Sequence, residues 1–243
     1  MLRGLYAAAS GLRYQTLRHD VVANNMANAT TPGFKRSEVL AQTFEEALLA
    51  RIGYSSGHRQ ALLGAMPRGV AAAETLTDTS PGPLMHTANP MDLAIEGTGF
   101  FVVETPVGER YTRDGSLRVS ADGILVNGRG YRILGQAGPI RVDGGEVIVE
   151  RDGTLRVDGR AVGRLRVVDL LDPVQVGENL FTGTELGEAG SAVVQGYLEG
   201  SNVNPLEEMV NLLEAFRAYE AVAKVVQAQD EVLAKAVNEV GRI

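Results

Sequence analysis

Cysteine and tryptophan are absent from this chain of 243 residues, and histidine occurs only three times. Without cysteine there is no disulfide and no thiolate to act as nucleophile or metal ligand. No apolar run approaches the ~20 residues of a membrane-spanning helix, so membrane insertion is not expected. Met1 to Gly11 holds one Arg and a short Ala-rich run. It lacks a cationic leader region and a long apolar one, so a cleavable secretory signal is not expected either. A net charge of −7 argues against general nucleic-acid binding. The chain shows no solenoid-type period and no low-complexity tract.

What is present begins at the far end. Asn204 is a good N-cap residue, Pro205 suits the first helical position, and Glu207 completes a capping-box pattern. No Gly or Pro follows until Gly241, which is placed to stop the helix. Residues 204–243 therefore read as one helix, about 55 Å long at ~1.5 Å per residue. Leu212, Ala215, Tyr219, Val222, Val226, Gln229, Leu233, Ala236 and Val240 alternate steps of three and four, the seam of a coiled coil. Leu206, Met209, Leu213 and Phe216 form a second apolar edge. The apolar face is too wide for one partner helix.

Residues 2 to about 28 also read as a helix, with Leu5, Leu12, His19 and Met26 recurring every seventh residue. The interior Ser10-Gly11 weakens it by up to ~1 kcal/mol, so it needs packing to persist. The first 36 residues hold Arg3, Arg13, Arg18, Lys35 and Arg36 against Asp20 alone. Residues 205–243 hold seven acids against Arg217, Lys224, Lys235 and Arg242. Opposite charge and a shared seven-residue period predict a helical pair made from the two ends of the chain.

Between them the pattern changes. Residues 36–50 admit a short amphipathic helix or an extension, and completing them gives an N-terminal helical segment over 1–52. Residues 53–83 lose periodicity and collect Gly, Ser and Pro, which predicts an extended connector. From Asp92 to Leu198 the period becomes two, within an all-β domain expected over 84–203. Short apolar runs such as Leu93–Ile95, Phe100–Val103, Ile140–Val142 and Leu165–Val168 alternate with Asp114-Gly115, Asp122-Gly123, Asn127-Gly128, Asp143-Gly144, Asp152-Gly153 and Asp158-Gly159. Those dipeptides read as hairpin turns. The fold expected is α+β: an all-β domain, sandwich or irregular barrel, inserted between terminal helices, the last over 204–243.

Turn chemistry accounts for the Asp-Gly pairs without metal binding, and they lack EF-hand spacing. Gly97-Thr98-Gly99 lacks the third glycine of a dinucleotide loop. His19 and His86 fall in helix or connector and His58 in a Gly/Ser loop, so no catalytic triad can be assembled. The sequence therefore predicts no catalytic, cofactor-binding or metal site, and no enzyme.

Three blocks carry a resemblance. The first runs from Asn24 and Asn25 through Asn28, Thr31, Gly33 and Phe34 to Lys35. The second comprises Asn89–Phe101 and Tyr111–Gly115. The third is Gly196–Asn204, with Asn202, followed by Glu208–Val210 and then Arg217, Tyr219 and Glu220. In this order they resemble the flagellar rod and hook family, the axial proteins of the bacterial flagellum. The resemblance implies a structural basal-body rod subunit, proximal or distal. Its partners would be copies of itself, other rod and hook proteins and the flagellar export apparatus. It also implies export unfolded by the flagellar type III route, and assembly into a tube with helices lining a channel and β domains outside. The expected assembly residues are Leu5, Leu12, His19, Met26, Leu212, Phe216, Tyr219, Val222, Val226 and Leu233. A β-domain binding module on a helical stalk, as in phage-tail or adhesin subunits, is the alternative.

Overall fold

A computed structural model describes residues 2–43, 47–51, 61–66 and 70–240. The chain forms two compact units. One comprises Met1–Asn24, Glu38–Leu76 and Leu206–Ile243; the other comprises Asn25–Ser37 and Thr77–Pro205.

The first unit is built on α1 (Leu2–Ala27) and α2 (Pro205–Val240). Helix α2 starts at Pro205 behind Asn204 and runs unbroken for 36 residues; the expected stop at Gly241 lies outside the described residues. After α1 the chain is extended. β1 (Ser37–Thr43) pairs with β4 (Val70–Thr77), and β2 (Ala47–Arg51) pairs antiparallel with β3 (Ala61–Met66). Residues 37–43 and 47–51 thus take the extended form rather than the helical one, so α1 ends at Ala27 where the sequence carried the helical segment to 52. Thr31-Pro32-Gly33 breaks the first helix, and a matching strand is available 30 residues on. The connector is likewise paired over Ala61–Met66 and Val70–Thr77 and lies outside any strand over 78–83; residues 52–60, which hold His58, and 67–69 lie outside the described part. The compact units divide the chain near residues 37 and 77, where the sequence placed boundaries at 52 and 83.

The second unit holds the remaining strands. They are β5 (Leu84–His86), β6 (Leu93–Glu96), β7 (Phe100–Thr105), β8 (Gly108–Thr112), β9 (Leu117–Val119), β10 (Leu125–Asn127) and β11 (Arg132–Gly135). There follow β12 (Gly138–Pro139), β13 (Val147–Val149), β14 (Thr154–Val157), β15 (Arg160–Arg164), β16 (Val167–Gly177), β17 (Leu180–Glu188), β18 (Ala192–Gln195) and β19 (Tyr197–Glu199). Strands β16, β17, β8 and β7 pair in succession, and β7 pairs back to β16. That ring is a small barrel, the irregular-barrel form of the fold expected.

Strand β7 explains why its apolar run is continuous. Phe100 and Val102 point into one core with Tyr111, Leu134, Val168 and Phe181. Phe101 and Val103 point the other way, into a larger core with Leu93, Ile133, Leu155 and Val193. A strand buried on both faces has no polar side to present. Ile140 and Val142 also enter the larger core, but the run around them forms only a bridge between Arg141 and Ile124 rather than a strand.

Four of the six turn glycines, Gly123, Gly144, Gly153 and Gly159, have positive φ. Gly115 and Gly128 do not, which corrects the reading of those two pairs as hairpin turns that need a left-handed glycine. At Gly115 the constraint is contact: a Cβ would sit 1.7 Å from the Leu93 carbonyl oxygen. The Asn127 turn uses Gly130, with φ of 89°, for its left-handed position.

Candidate functional site

Two places in the molecule gather the residues singled out by the sequence. The first is the helix pair. Gly4 faces Gln229, where a Cβ would lie 2.6 Å from the amide, and Gly11 faces Val222, where it would lie 3.7 Å away. Arg18 Nη2 is 3.6 Å from Glu214 Oε2. Positions rise along α1 as they fall along α2, so the two helices run antiparallel. The seam on α2 follows the predicted line except at Tyr219, which is exposed: Ala215 is fully buried, and Leu212, Val222, Val226, Gln229 and Leu233 are half-buried.

On α1 the contacts to α2 come from Gly4, Gly11 and Arg18, a line beside the expected heptad; Ala8 and Val22 are buried. Leu5, Leu12 and Met26 are half-buried, and the His19 side chain is 46% exposed beside Asp20. Small residues let two helix backbones approach, so the close line follows Gly4, Ala8 and Gly11 rather than the leucines. Their spacing of four and three was the signal in the sequence, hidden because glycine reads as a helix weakener.

Helix α1 covers only one side of α2. Leu206 is 71% exposed, and Met209, Val210, Leu213, Phe216 and Tyr219 are exposed beside it. Phe216 and Tyr219 therefore lie off the intramolecular seam, and Val222, Val226 and Leu233 lie on it. Arg217 and Glu220 are exposed on the same helix.

The second place is a buried polar cluster in the β unit. Helix α1 ends in a turn in which the Thr31 hydroxyl donates to Asn28 Oδ1 at 3.2 Å. Asn25, almost fully buried, donates to the Ser37 carbonyl at 2.8 Å and accepts from the Ser37 N–H at 3.0 Å. It thereby ties the end of the helix to the start of β1. Gly33, with φ of 67°, donates its N–H to the Glu199 carbonyl at 2.7 Å. A Cβ at Gly33 would strike the Arg113 backbone at 2.4 Å. Phe34 is buried, and its carbonyl accepts from the Asn202 N–H at 3.4 Å. Asn202 Oδ1 accepts from the Arg36 N–H at 2.7 Å, while its amide donates to the Asp78 carbonyl at 3.0 Å. Asn24 is exposed at the helix end.

At the centre lie three charges. Lys35 is 0% exposed, Glu199 1% and Arg113 3%. Lys35 Nζ donates to Glu199 Oε1 and to the Ser80 carbonyl, each at 2.6 Å. Arg113 Nη1 donates to Glu199 Oε2 at 2.9 Å, and Nη2 donates to the Gly97 carbonyl at 2.7 Å. The guanidinium lies over Phe100, 5.3 Å from its centroid. The Gly82 N–H gives Glu199 Oε1 a further donor at 2.9 Å. One carboxylate thus holds two cations and a backbone amide from segments far apart in sequence. Burial pushes the Lys35 ammonium below its usual range, and the bond to Glu199 pulls the other way. Removing one partner of such a buried group costs about 3–5 kcal/mol.

The sequence marked Lys35, Gly33, Phe34 and Asn202 but not Glu199 or Arg113 as site residues. Both stood in the blocks that carry the resemblance; for Glu199 the signal was a lone charge in the run Gly196–Asn204, whereas Arg113 sits beside Asp114 and had no such mark. The three side chains bind one another and so position the segments that carry them. Among the described residues no helix is long and apolar enough to cross a membrane.

Three family models match in chain order. Residues 5–35 match the model described as flagella basal body rod protein. Residues 94–159 match the flagellar hook protein FlgE/F/G D1 domain, and 194–239 the flagellar basal body rod FlgEFG protein C-terminal. The flagellar basal-body rod protein FlgF of Caulobacter vibrioides is 38% identical over 255 residues, covering 100% of both chains. FlgG of Buchnera aphidicola subsp. Baizongia pistaciae is 34% identical over 260 residues, covering 97% of this chain and 98% of that one. FlgG of Bacillus subtilis is 31% identical over 265 residues, covering 98% and 99%. The three matched segments contain, in order, Lys35, Arg113 and Glu199, the three charges of the buried cluster.

Proposed function

Because the chain belongs to the flagellar basal-body rod proteins, we propose that it polymerises through the uncovered edge of α2 into the helical wall of the rod. The protein is a structural subunit of the flagellar basal body. Its role is mechanical rather than catalytic: the tube transmits torque and encloses the export channel. Self and other rod and hook subunits are its partners. It reaches them unfolded through the flagellar type III apparatus, with the export information near the N-terminus.

The observation that carries this reading is the apolar edge Leu206, Met209, Leu213 and Phe216, left exposed after α1 has packed. Such an edge on a lone subunit promotes non-specific association. A contact between unlike surfaces on neighbouring copies buries it and repeats without closing. The seam Val222, Val226 and Leu233 is already occupied by α1, so it holds the hairpin of helices together. Of the residues expected from sequence, Phe216 and Tyr219 serve assembly directly, and Leu212, Val222, Val226 and Leu233 act through the helix pair, while Leu5, Leu12, His19 and Met26 lie beside its close line.

The test is polymerisation of purified chain followed by sedimentation and electron microscopy. Leu213→Asp is expected to keep the wild-type melting curve and to stay monomeric where the wild type forms tubes. Tubes of normal length from Leu213→Asp would refute the surface assigned. For export, deletion of residues 2–30 is expected to retain the product in the cytoplasm; secretion of the truncated chain would refute an N-terminal signal.

A further inference from the structure

We propose that Glu199 is a keystone making the docking of the N-terminal motif conditional on the C-terminal one, so that residues 28–37 lock onto the β unit only when the chain has folded as far as β19. Lys35 and Glu199 are separated by 164 positions in sequence. Lys35 is fully buried, and both of its hydrogen-bond partners, the Glu199 carboxylate and the Ser80 carbonyl, come from later in the chain. An ammonium cannot stay in such a place without its counter-charge. Until Glu199 arrives, Lys35 remains in water and carries Gly33 and Phe34 with it.

Arg113 adds a second condition. It belongs to the end of the β8 hairpin, and its backbone lies against Gly33. Its guanidinium takes the other oxygen of Glu199. With Arg113 and Lys35 both present and Glu199 missing, two cations would face each other in a closed site. The carboxylate therefore turns a repulsive pair into a closed cluster. It also receives the Gly82 N–H, which draws in the Thr77–Pro83 stretch, and at Gly82 a side chain would strike the Gly200 carbonyl. Three strands of chain thus close on one carboxylate. The groups facing Lys35 from these segments are Glu199, Arg113, Asp78 and the Ser80 carbonyl.

The device lies within one unit, formed by residues 25–37 and 77–205, so it stands whichever surface polymerises. Its consequence is a subunit whose N-terminal motif stays undocked while the chain is incomplete and becomes fixed in a single late step. The larger core contains neither Lys35 nor Glu199 and does not wait for that step.

Trypsin reports the lock directly, since Lys35-Arg36 is a cleavage site in the docked segment. In the full-length protein, Glu199→Gln is expected to speed cutting at Arg36–Ser37 by at least about tenfold, as cleavage follows the population of the open form. Hydrogen exchange in peptides covering β7, β11 and β14 should stay at the wild-type rate. A second variant, Lys35→Met with Glu199→Gln, removes one of the facing cations. It should recover much of the protection at Arg36–Ser37, a rescue that general loss of stability would not give. Wild-type cutting rates in Glu199→Gln would overturn the proposal. So would loss of exchange protection in β7 and β14 together with residues 28–37, because the motif would then belong to the core. Equal cutting in the single and double variants would also overturn it.

Discussion

Strand β7 and helix α2 are both rich in apolar residues, yet they end in opposite states. Phe100 to Val103 are buried on both faces of β7, each side chain in one of two cores supplied by the same chain. On α2, Leu206, Met209, Leu213 and Phe216 stay in water, although the opposite side of the helix is packed on α1. The difference lies in what surrounds them. A closed ring of strands surrounds β7 with neighbours, whereas an antiparallel pair of helices gives each member one partner and one stripe of contact. Strand β7 is covered on both faces by its own chain; α2 keeps an exposed apolar edge.

The largest effect is expected where that cover is most complete. Phe101→Ala removes a fully buried ring from the larger core and should cost about 3–5 kcal/mol in urea unfolding. A loss below 1 kcal/mol would show that the β unit is loosely packed and would weaken the contrast. Gly115→Ala comes next. The added Cβ meets the Leu93 carbonyl at 1.7 Å, so backbone must shift, at about 1–3 kcal/mol. Calorimetry on the variant checks this, and an unchanged melting temperature would mean the contact yields freely.

Alkaline titration separates two groups within the β unit. Burial first, then the hydrogen bond to Glu185, pushes Tyr111 from 10.0 up to about 12. Its contribution to stability is complete below pH 10 and lost as pH rises toward 12, because the unfolded chain ionises first. Lys35 has the opposite sign. Its folded value lies below 10.5, so the unfolded chain binds that proton more tightly and stability rises with pH through the window beneath 10.5. Tyr111→Phe should flatten the decline above pH 10, measured by unfolding at constant ionic strength. A decline of the same steepness in the variant would assign it to another group.

The smallest effect on the free subunit is expected at the uncovered edge. Leu213→Asp should change its stability by no more than about 0.5 kcal/mol. A loss of 2 kcal/mol or more would place Leu213 in the subunit's own packing and remove the contrast with β7.

The sequence by itself determined the two long helices, their partnership through opposite charge and a common period, and the β character of residues 84–203; that the pair runs antiparallel came from the structure. What the sequence determined follows from short-range pattern: caps at Asn204 and Pro205, steps of three and four, and alternation broken by Asp-Gly pairs. It also marked which segments carry the family motif. Only the tertiary structure decided which face of α1 meets α2, because Gly4 and Gly11 act through how closely a backbone can approach, and no hydropathy pattern records that. It decided that residues 37–43 and 47–51 pair as strands, since a strand needs a partner from elsewhere in the chain. It also chose Glu199 and Arg113 as the partners of Lys35. A buried charge is selected by what lies opposite it in space, and its counter-charge here stands 164 positions away along the chain.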